Sequence, residues 1–174
     1  MTIPSKRFTE TKLMDILEPR NFHWFSYIRI LSWVFRFINN INNKKKFSGN
    51  LSNREISDTK RILFRECQGE AFREEIPRLH MSFPIPQLSP LSAALPQLDA
   101  YGIIQSRKFP KPSVVLPVDS PIIPLLIKYY HDRSGHTAMR KGIKMITSDY
   151  WISNSKKLAH KWKESCPVCN TLNY

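Results

Sequence analysis

"HDRSGHTAMRKGIKMITSDYWISNSKKLAHKWKESCPVC", residues 131–169, opens on two histidines and closes on two cysteines. Cys and His side chains in fours are the ligand set of a closed zinc site, a tetrahedron whose corners all come from the protein. His131 and His136 are five residues apart. On an unbroken helix they would point about 140° away from each other and could not meet one ion. Gly135 removes that obstacle by ending the helix, which leaves His131 near its end and His136 in the turn. Pro167 and Val168 separate Cys166 from Cys169, a spacing that aims two sulfurs at one point. The 29 residues between His136 and Cys166 are enough to run out on one helix and back on another. The pattern points to one structural zinc ion held by His131, His136, Cys166 and Cys169. A redox CxxC normally belongs to a thioredoxin-like unit with a strand nearby, whereas this one follows a helical pattern. A third reading, an enzyme with Cys166 as its nucleophile, is incompatible with zinc on that thiolate.

Helical periodicity surrounds the quartet. "DSPIIPLLIKYYHDRSG" has Asp119 or Ser120 as a cap and Pro121 near the first helical position, with Leu125, Leu126 and Tyr129 on one face. Thr137 is placed to cap "AMRKGIKMITS", whose Met139, Ile143 and Ile146 face inward. "DYWI" reads as an aromatic corner. "SKKLAHKWKES" turns Leu158 and Trp162 inward, four apart, and His160 outward beside Lys156 and Lys157. Three short helices make a very small core, and domains of that size usually rely on a metal or on disulfides.

Upstream, residues 11–43 read as a helix with Trp24, Ile28, Leu31, Phe35 and Ile38 as its apolar stripe and Arg29 and Arg36 on another face. "INNKKKFSGNLSN" is a linker. Residues 54–76 suggest one or two helices capped by Ser57 or Asp58, with Ile62, Leu63 and Cys67 inside. The proline-rich residues 77–97 exclude a regular helix, and His80 there has no partner at metal spacing. The turn at Asp99–Gly102 and the run "GIIQSRKF" predict a small hairpin, and "SVVLP" a third short strand.

Charge is distributed unevenly. The net charge is +13, with +6 on residues 1–60, +1 on 61–127 and +6 on 128–174. Such an excess attracts phosphate backbones without reading sequence. Arg140, Lys141, Lys144, Lys156, Lys157, Lys161 and Lys163 are the natural phosphate contacts, although a solvated charged face is the plain reading of any one of them. The three cysteines, Cys67, Cys166 and Cys169, do not form a secreted disulfide framework, and the polar start "MTIPSKRFTE" lacks a signal-peptide pattern. Arg29 and Arg36 interrupt "FHWFSYIRILSWVFRFINNI", so stable membrane insertion is not expected. An interfacial helix is the variant that aromatics and arginines suit. The expected compartment is intracellular, cytoplasm or nucleus.

Histidines before cysteines, with Tyr150-Trp151-Ile152 between the pairs, resembles the zinc-binding domain of retroviral and retrotransposon integrases. "LLIKYYHDRSGHTAMRKGIKMITSDYWI" followed by "CPVC" is most similar to BEL/Pao-type retrotransposon polyproteins. Carried over position by position, that family's zinc ligands fall on His131, His136, Cys166 and Cys169. "LSWVFRF" (31–37) is similar to the helix after the ribonuclease H region of such polyproteins, and "LPQLDAYGIIQSRKF" to the hairpin before their zinc domain. Ser106, Arg107, Lys108 and Phe109 stand where the family has Gly-Gly-Arg-Leu.

The reading is a mainly α chain: a small zinc-stabilised three-helix domain of helix-turn-helix type, preceded by amphipathic helices and a short β-hairpin segment. Its expected divisions are an amphipathic helical segment (1–43), a linker with helices and the proline-rich hairpin region (44–118), and an integrase-type zinc-binding domain (119–174). The resemblance implies a non-catalytic role in DNA integration, through weakly sequence-specific nucleic-acid binding, DNA expected, and self-association in assembly. Integrase chemistry needs three carboxylates holding two metal ions, on a core that follows the zinc domain in the family and is not expected here. Asp99, Asp119, Asp132 and Asp149 fall on turns and caps. The reading from another class is a protein-interaction module whose basic charge only confers solubility.

Overall fold

The computed structural model describes residues 19, 22–43, 46–108, 111–136 and 139–171. Helix α1, Trp24–Asn42, forms over the apolar stripe read from the sequence, and Trp24, Ile28 and Leu31 are buried on it with Tyr27. The helical reading of 11–18 lies outside the described residues. Arg36 is not on a solvent face. Its side chain is buried beneath the returning 46–50 loop, where it donates to Glu55 at 2.6 Å and to the carbonyls of Gly49 and Asn50.

Helix α2, Asn53–Ala71, begins earlier than Ser57 or Asp58 would allow. Ser52 and Glu55 close a capping box, each satisfying a backbone N–H of the first turn. A short helix α3, Glu75–His80, carries Pro77 in its first turn, so the proline-rich stretch is not wholly irregular. His80 is exposed at its end.

A four-stranded sheet follows, in the order β1-β2-β3-β4. Strands β1 (Pro96–Leu98) and β2 (Ile104–Ser106) form the expected hairpin. Asp99 builds its turn by accepting from the N–H groups of Tyr101 and Ile103, and Gly102 takes the left-handed conformation at φ +74°. Strand β3, Ser113–Leu116, pairs antiparallel with β2. "YWI" is not a corner but strand β4, Tyr150–Ile152, which runs parallel to β3 with Val114 opposite Tyr150.

Helices α4 (Ile123–Arg133) and α5 (Met139–Asp149) lie between β3 and β4; α6 (Ser155–Ser165) and the one-turn α7 (Pro167–Thr171) come after. Neither Asp119 nor Ser120 caps α4. The Ser120 hydroxyl donates instead to the buried Cys67 sulfur at 3.2 Å, and Pro124 occupies the first helical turn. The Thr137 cap lies outside the described residues.

Alternation along the strands separates two apolar clusters. Ile103, Leu116, Tyr150 and Ile152 join the main core with α1, α2, α4 and Ile146 of α5. Ile104, Val115 and the half-buried Trp151 face a smaller cluster around Phe72, Leu91 and Ala94. Leu158 and Trp162 of α6 pack against the main core. That core is thus built from residues on both sides of position 119. Among the described residues no helix is long and apolar enough to cross a membrane.

Candidate metal centre

The two histidines are brought together by an abrupt chain reversal. Helix α4 ends at Arg133, where the Ser134 hydroxyl donates to the His131 carbonyl at 2.7 Å. Gly135 (φ +76°) and His136 (φ +59°) then take left-handed conformations in succession. Glycine adopts this region freely, whereas a histidine there is uncommon and strained. The reversal folds the His136 ring back onto His131, with ring centroids 4.6 Å apart and planes nearly perpendicular.

The cysteines arrive from the far end of α6. Cys166 is the extended residue that ends this helix, and Pro167, with its fixed φ, starts α7 at once. Cys169 falls one turn on. Both thiols are buried and neither is in a disulfide.

One ligand atom from each of His131, His136, Cys166 and Cys169 lies within 4.8 Å of all the others. His136 Nδ1 is 3.0 Å from His131 Nε2. Cys169 Sγ is 3.3 Å from His131 Nε2 and 3.9 Å from His136 Nδ1, and Cys166 Sγ is 3.5 Å from His136 Nδ1. Zinc–nitrogen bonds of about 2.0 Å and zinc–sulfur bonds of about 2.3 Å give tetrahedron edges of about 3.3 to 3.8 Å. The separations bracket these edges, so the donor set fits a closed four-ligand site, consistent with one structural zinc ion.

The electrostatics agree. Burial, followed by the neighbouring His136, lowers the His131 pKa, which favours the neutral imidazole that ligates metal. Burial, then Cys166 alongside, pushes the Cys169 thiol up. Two thiolates side by side in such a place need a cation. By contrast, burial pushes Cys67 up to about 11, so it is an inert core thiol, as its position in α2 implied.

Two charged groups lie close to the quartet. Asp132 Oδ1 lies 3.7 Å from His136 Nε2, the ring nitrogen facing away from the cluster, while its Oδ2 accepts from Lys128 at 2.8 Å. At 3.7 Å the carboxylate is too far to hydrogen-bond that nitrogen, and it stands behind the ring as a nearby negative charge. An acid next to a candidate ligand is the one signal that could have found it. Lys163, read from sequence as a phosphate contact, is half-buried, and its charge acts on both His131 and Cys169.

The other proposed phosphate contacts are placed differently. Lys156, Lys157 and Lys161 are exposed along one side of α6 with His160, and Lys141 and Lys144 are exposed on α5. The Arg140 side chain lies outside the described residues. Asp99 is spent on its turn, and Asp149 accepts from the Tyr130 hydroxyl at 2.9 Å and pairs with Lys111. Asp119 is exposed beside the turn before α4.

No curated protein and no solved structure matches the chain. The stretch from just before α4 onward, residues 118–174, which contains all four candidate ligands, matches the family model described as the integrase zinc binding domain.

Proposed function

We propose that this chain is part of a BEL/Pao-type retrotransposon integrase or a domesticated relative, acting through nucleic-acid binding and subunit assembly rather than catalysis. His131 Nε2, His136 Nδ1, Cys166 Sγ and Cys169 Sγ hold the zinc ion. It ties the α4–α5 turn to the end of α6 and leaves no open position for substrate. The observation that carries this reading is the convergence of those four side chains inside the segment that matches the integrase zinc binding domain.

Phosphate contact falls to the exposed lysines of α5 and α6: Lys141, Lys144, Lys156, Lys157 and Lys161, with Arg140 at the start of α5. Lys163, half-buried on α6, is proposed with them. Binding through these groups is electrostatic and weakly sequence-selective, because lysine ammonium groups neutralise phosphates without reading base edges.

The test is a salt titration of duplex DNA binding. Each phosphate neutralised contributes about −0.9 to the slope of log affinity against log salt. Changing Lys156, Lys157 and Lys161 to Gln should flatten the slope by about 2 to 3 while zinc content stays at one per chain. A slope near zero in the parent, or a triple variant as salt-sensitive as the parent, would leave the lysines a solvated surface and favour the protein-interaction module.

A further inference from the structure

Helix α1 buries one face in the main core and leaves an aromatic row on the other. Phe25, Trp33, Phe37 and Ile41 are 51%, 46%, 66% and 63% exposed. With Arg29, also exposed, they stand at four-residue steps, rising about 6 Å at each step. Phe25 packs edge-on against Tyr129 at 5.0 Å, which leaves Trp33 and Phe37, one turn apart, as the adjacent exposed rings of the row. Exposed aromatics side by side are unusual on a surface that only meets water.

At its C-terminal end the row opens into a groove lined by Trp33, Arg36, Phe37, Asn40, Phe47 and Gly49. The groove is held in shape before any ligand arrives. The Asn40 amide both donates to the Phe47 carbonyl and accepts from the Phe47 N–H, each at 2.8 Å. Arg36 fastens the same loop through Gly49 and Asn50, and its guanidinium lies 4.7 Å over the Trp33 ring. Lys46 donates to the Asn40 carbonyl, which sets an ammonium group beside the groove.

Charge decides what suits such a surface. Residues 19–54 contain seven Lys and Arg and no Asp or Glu. Arg36 is matched by Glu55 from α2. Arg54 is likewise paired with Asp58, so among the described residues Arg29 and Lys46 are the exposed cations beside the rings. An uncharged apolar partner would gain nothing from them. Flat π-faces beside cations are what unpaired bases on a phosphate backbone require: bases stack, and the cations follow the backbone. A duplex hides its base faces and cannot use the row.

We infer that α1 and the 46–50 loop form a stacking groove for single-stranded nucleic acid, separate from the α5 and α6 lysines. The inference does not depend on the integrase-type reading, since it uses neither the zinc ligands nor those lysines.

Exchange of Trp33 and Phe37 for Leu together tests it in the full zinc-bearing chain. Leucine keeps apolar area and removes the π-face. Binding of a labelled oligothymidylate, followed by fluorescence anisotropy, should weaken about tenfold or more, the loss expected when base stacking is removed. Phe37→Tyr, which keeps a ring, should bind as the parent does. Duplex binding and zinc content of the leucine variant should be unchanged, since Trp33 and Phe37 are exposed side chains of α1 and are neither zinc ligands nor among the α5 and α6 lysines. An oligothymidylate affinity equal to the parent's in the leucine variant overturns the inference. So does single-strand binding that vanishes in the Lys156, Lys157 and Lys161 variant but survives the leucine change, a result that keeps the reading of the previous section. Cosedimentation with anionic phosphatidylserine vesicles that leucine preserves, without oligothymidylate binding, also overturns it and makes the row a lipid contact.

Discussion

Gln68 occupies the place where the sheet's own hydrogen bonding stops. Strands β2 and β3 pair Ser106 with Ser113 and Gln105 with Val114. The next pair in that register would be Ile104 and Val115, and there the buried Gln68 amide intervenes. Its nitrogen donates to the carbonyls of Ile104 (2.9 Å) and Val115 (2.7 Å), and its oxygen accepts from the Ile104 N–H at 2.8 Å. One side chain on α2 thus replaces a rung of the ladder and pins helix to sheet. Gln68→Leu fits the space but strands those groups, each costing about 1–3 kcal/mol when buried and unpaired. A loss of about 2–4 kcal/mol is expected in urea denaturation; a loss below about 0.5 kcal/mol would mean that the three bonds add nothing net. Nothing in "RECQGEAF" marks this residue, because a glutamine on a polar helix looks the same whether or not a sheet edge awaits it. The zinc candidates were legible for the opposite reason. Their chemistry is restricted to a few residue types, and the required helix break is written locally as Gly135. Asp132 was only half-legible, since its position behind His136 depends on the left-handed turn.

At the scale of elements, the packing of α1 on α2 turns on Arg36 and Glu55. The Arg36 guanidinium first, and then hydrogen bonds from Ser52, hold the Glu55 carboxyl at about 2, against an ordinary value of 4.5. A carboxyl lowered on folding contributes stability that is present above its unfolded value and is lost as pH falls toward the folded one. The urea midpoint should therefore drop as pH falls from about 4.5 to about 2. Glu55→Gln should lower the neutral-pH midpoint and flatten this acid limb; an acid limb as steep as the parent's would show that other carboxyls set it. Periodicity placed Arg36 correctly on the face it shares with Arg29, seven residues away. What it lacked was the loop that folds over one arginine and not the other. The hairpin of β1 and β2 was readable because Asp99 and Gly102 specify its turn within a few residues. Strand β4 was not, because three residues give almost no alternation and its partner Val114 stands 36 positions upstream of Tyr150.

For the molecule as a whole, zinc and core are not separable. Ile146, Tyr150 and Ile152 sit in the same apolar cluster as Trp24 and Leu31, and Leu158 and Trp162 pack against it. Structural zinc in small domains contributes roughly 10–16 kcal/mol of apparent binding free energy, as much as the entire stability of an ordinary domain. Chelation of the full chain should therefore lower helicity and shift tryptophan emission in one transition, with Trp151 and Trp162 reporting from β4 and α6. Metal analysis should find one zinc per chain in the parent and in Cys67→Ser, and none in Cys166→Ser. Unchanged helicity in chelator, with no metal in the purified parent, would remove zinc from the account of this fold. The mainly helical class was legible from periodicity and the compensating metal from the small size of the C-terminal helices. The sharing of one core across position 119 was not, because it rests on long-range pairing.

Strand β4 also sets limits on chain length. Helix α5 is fixed at one end by His136 and at the other by the β3–β4 ladder, and α6 is fixed by that ladder and by Cys166. Each helix is a spacer between two anchors. One residue added or removed within either would turn everything beyond it by about 100°, so that either a ligand leaves the cluster or Tyr150 and Ile152 exchange faces with Trp151. The exposed, proline-punctuated turn at 81–90 has no such double anchorage. Tolerance to insertion should be wide there and close to nil between His136 and Cys166, whatever residues are inserted.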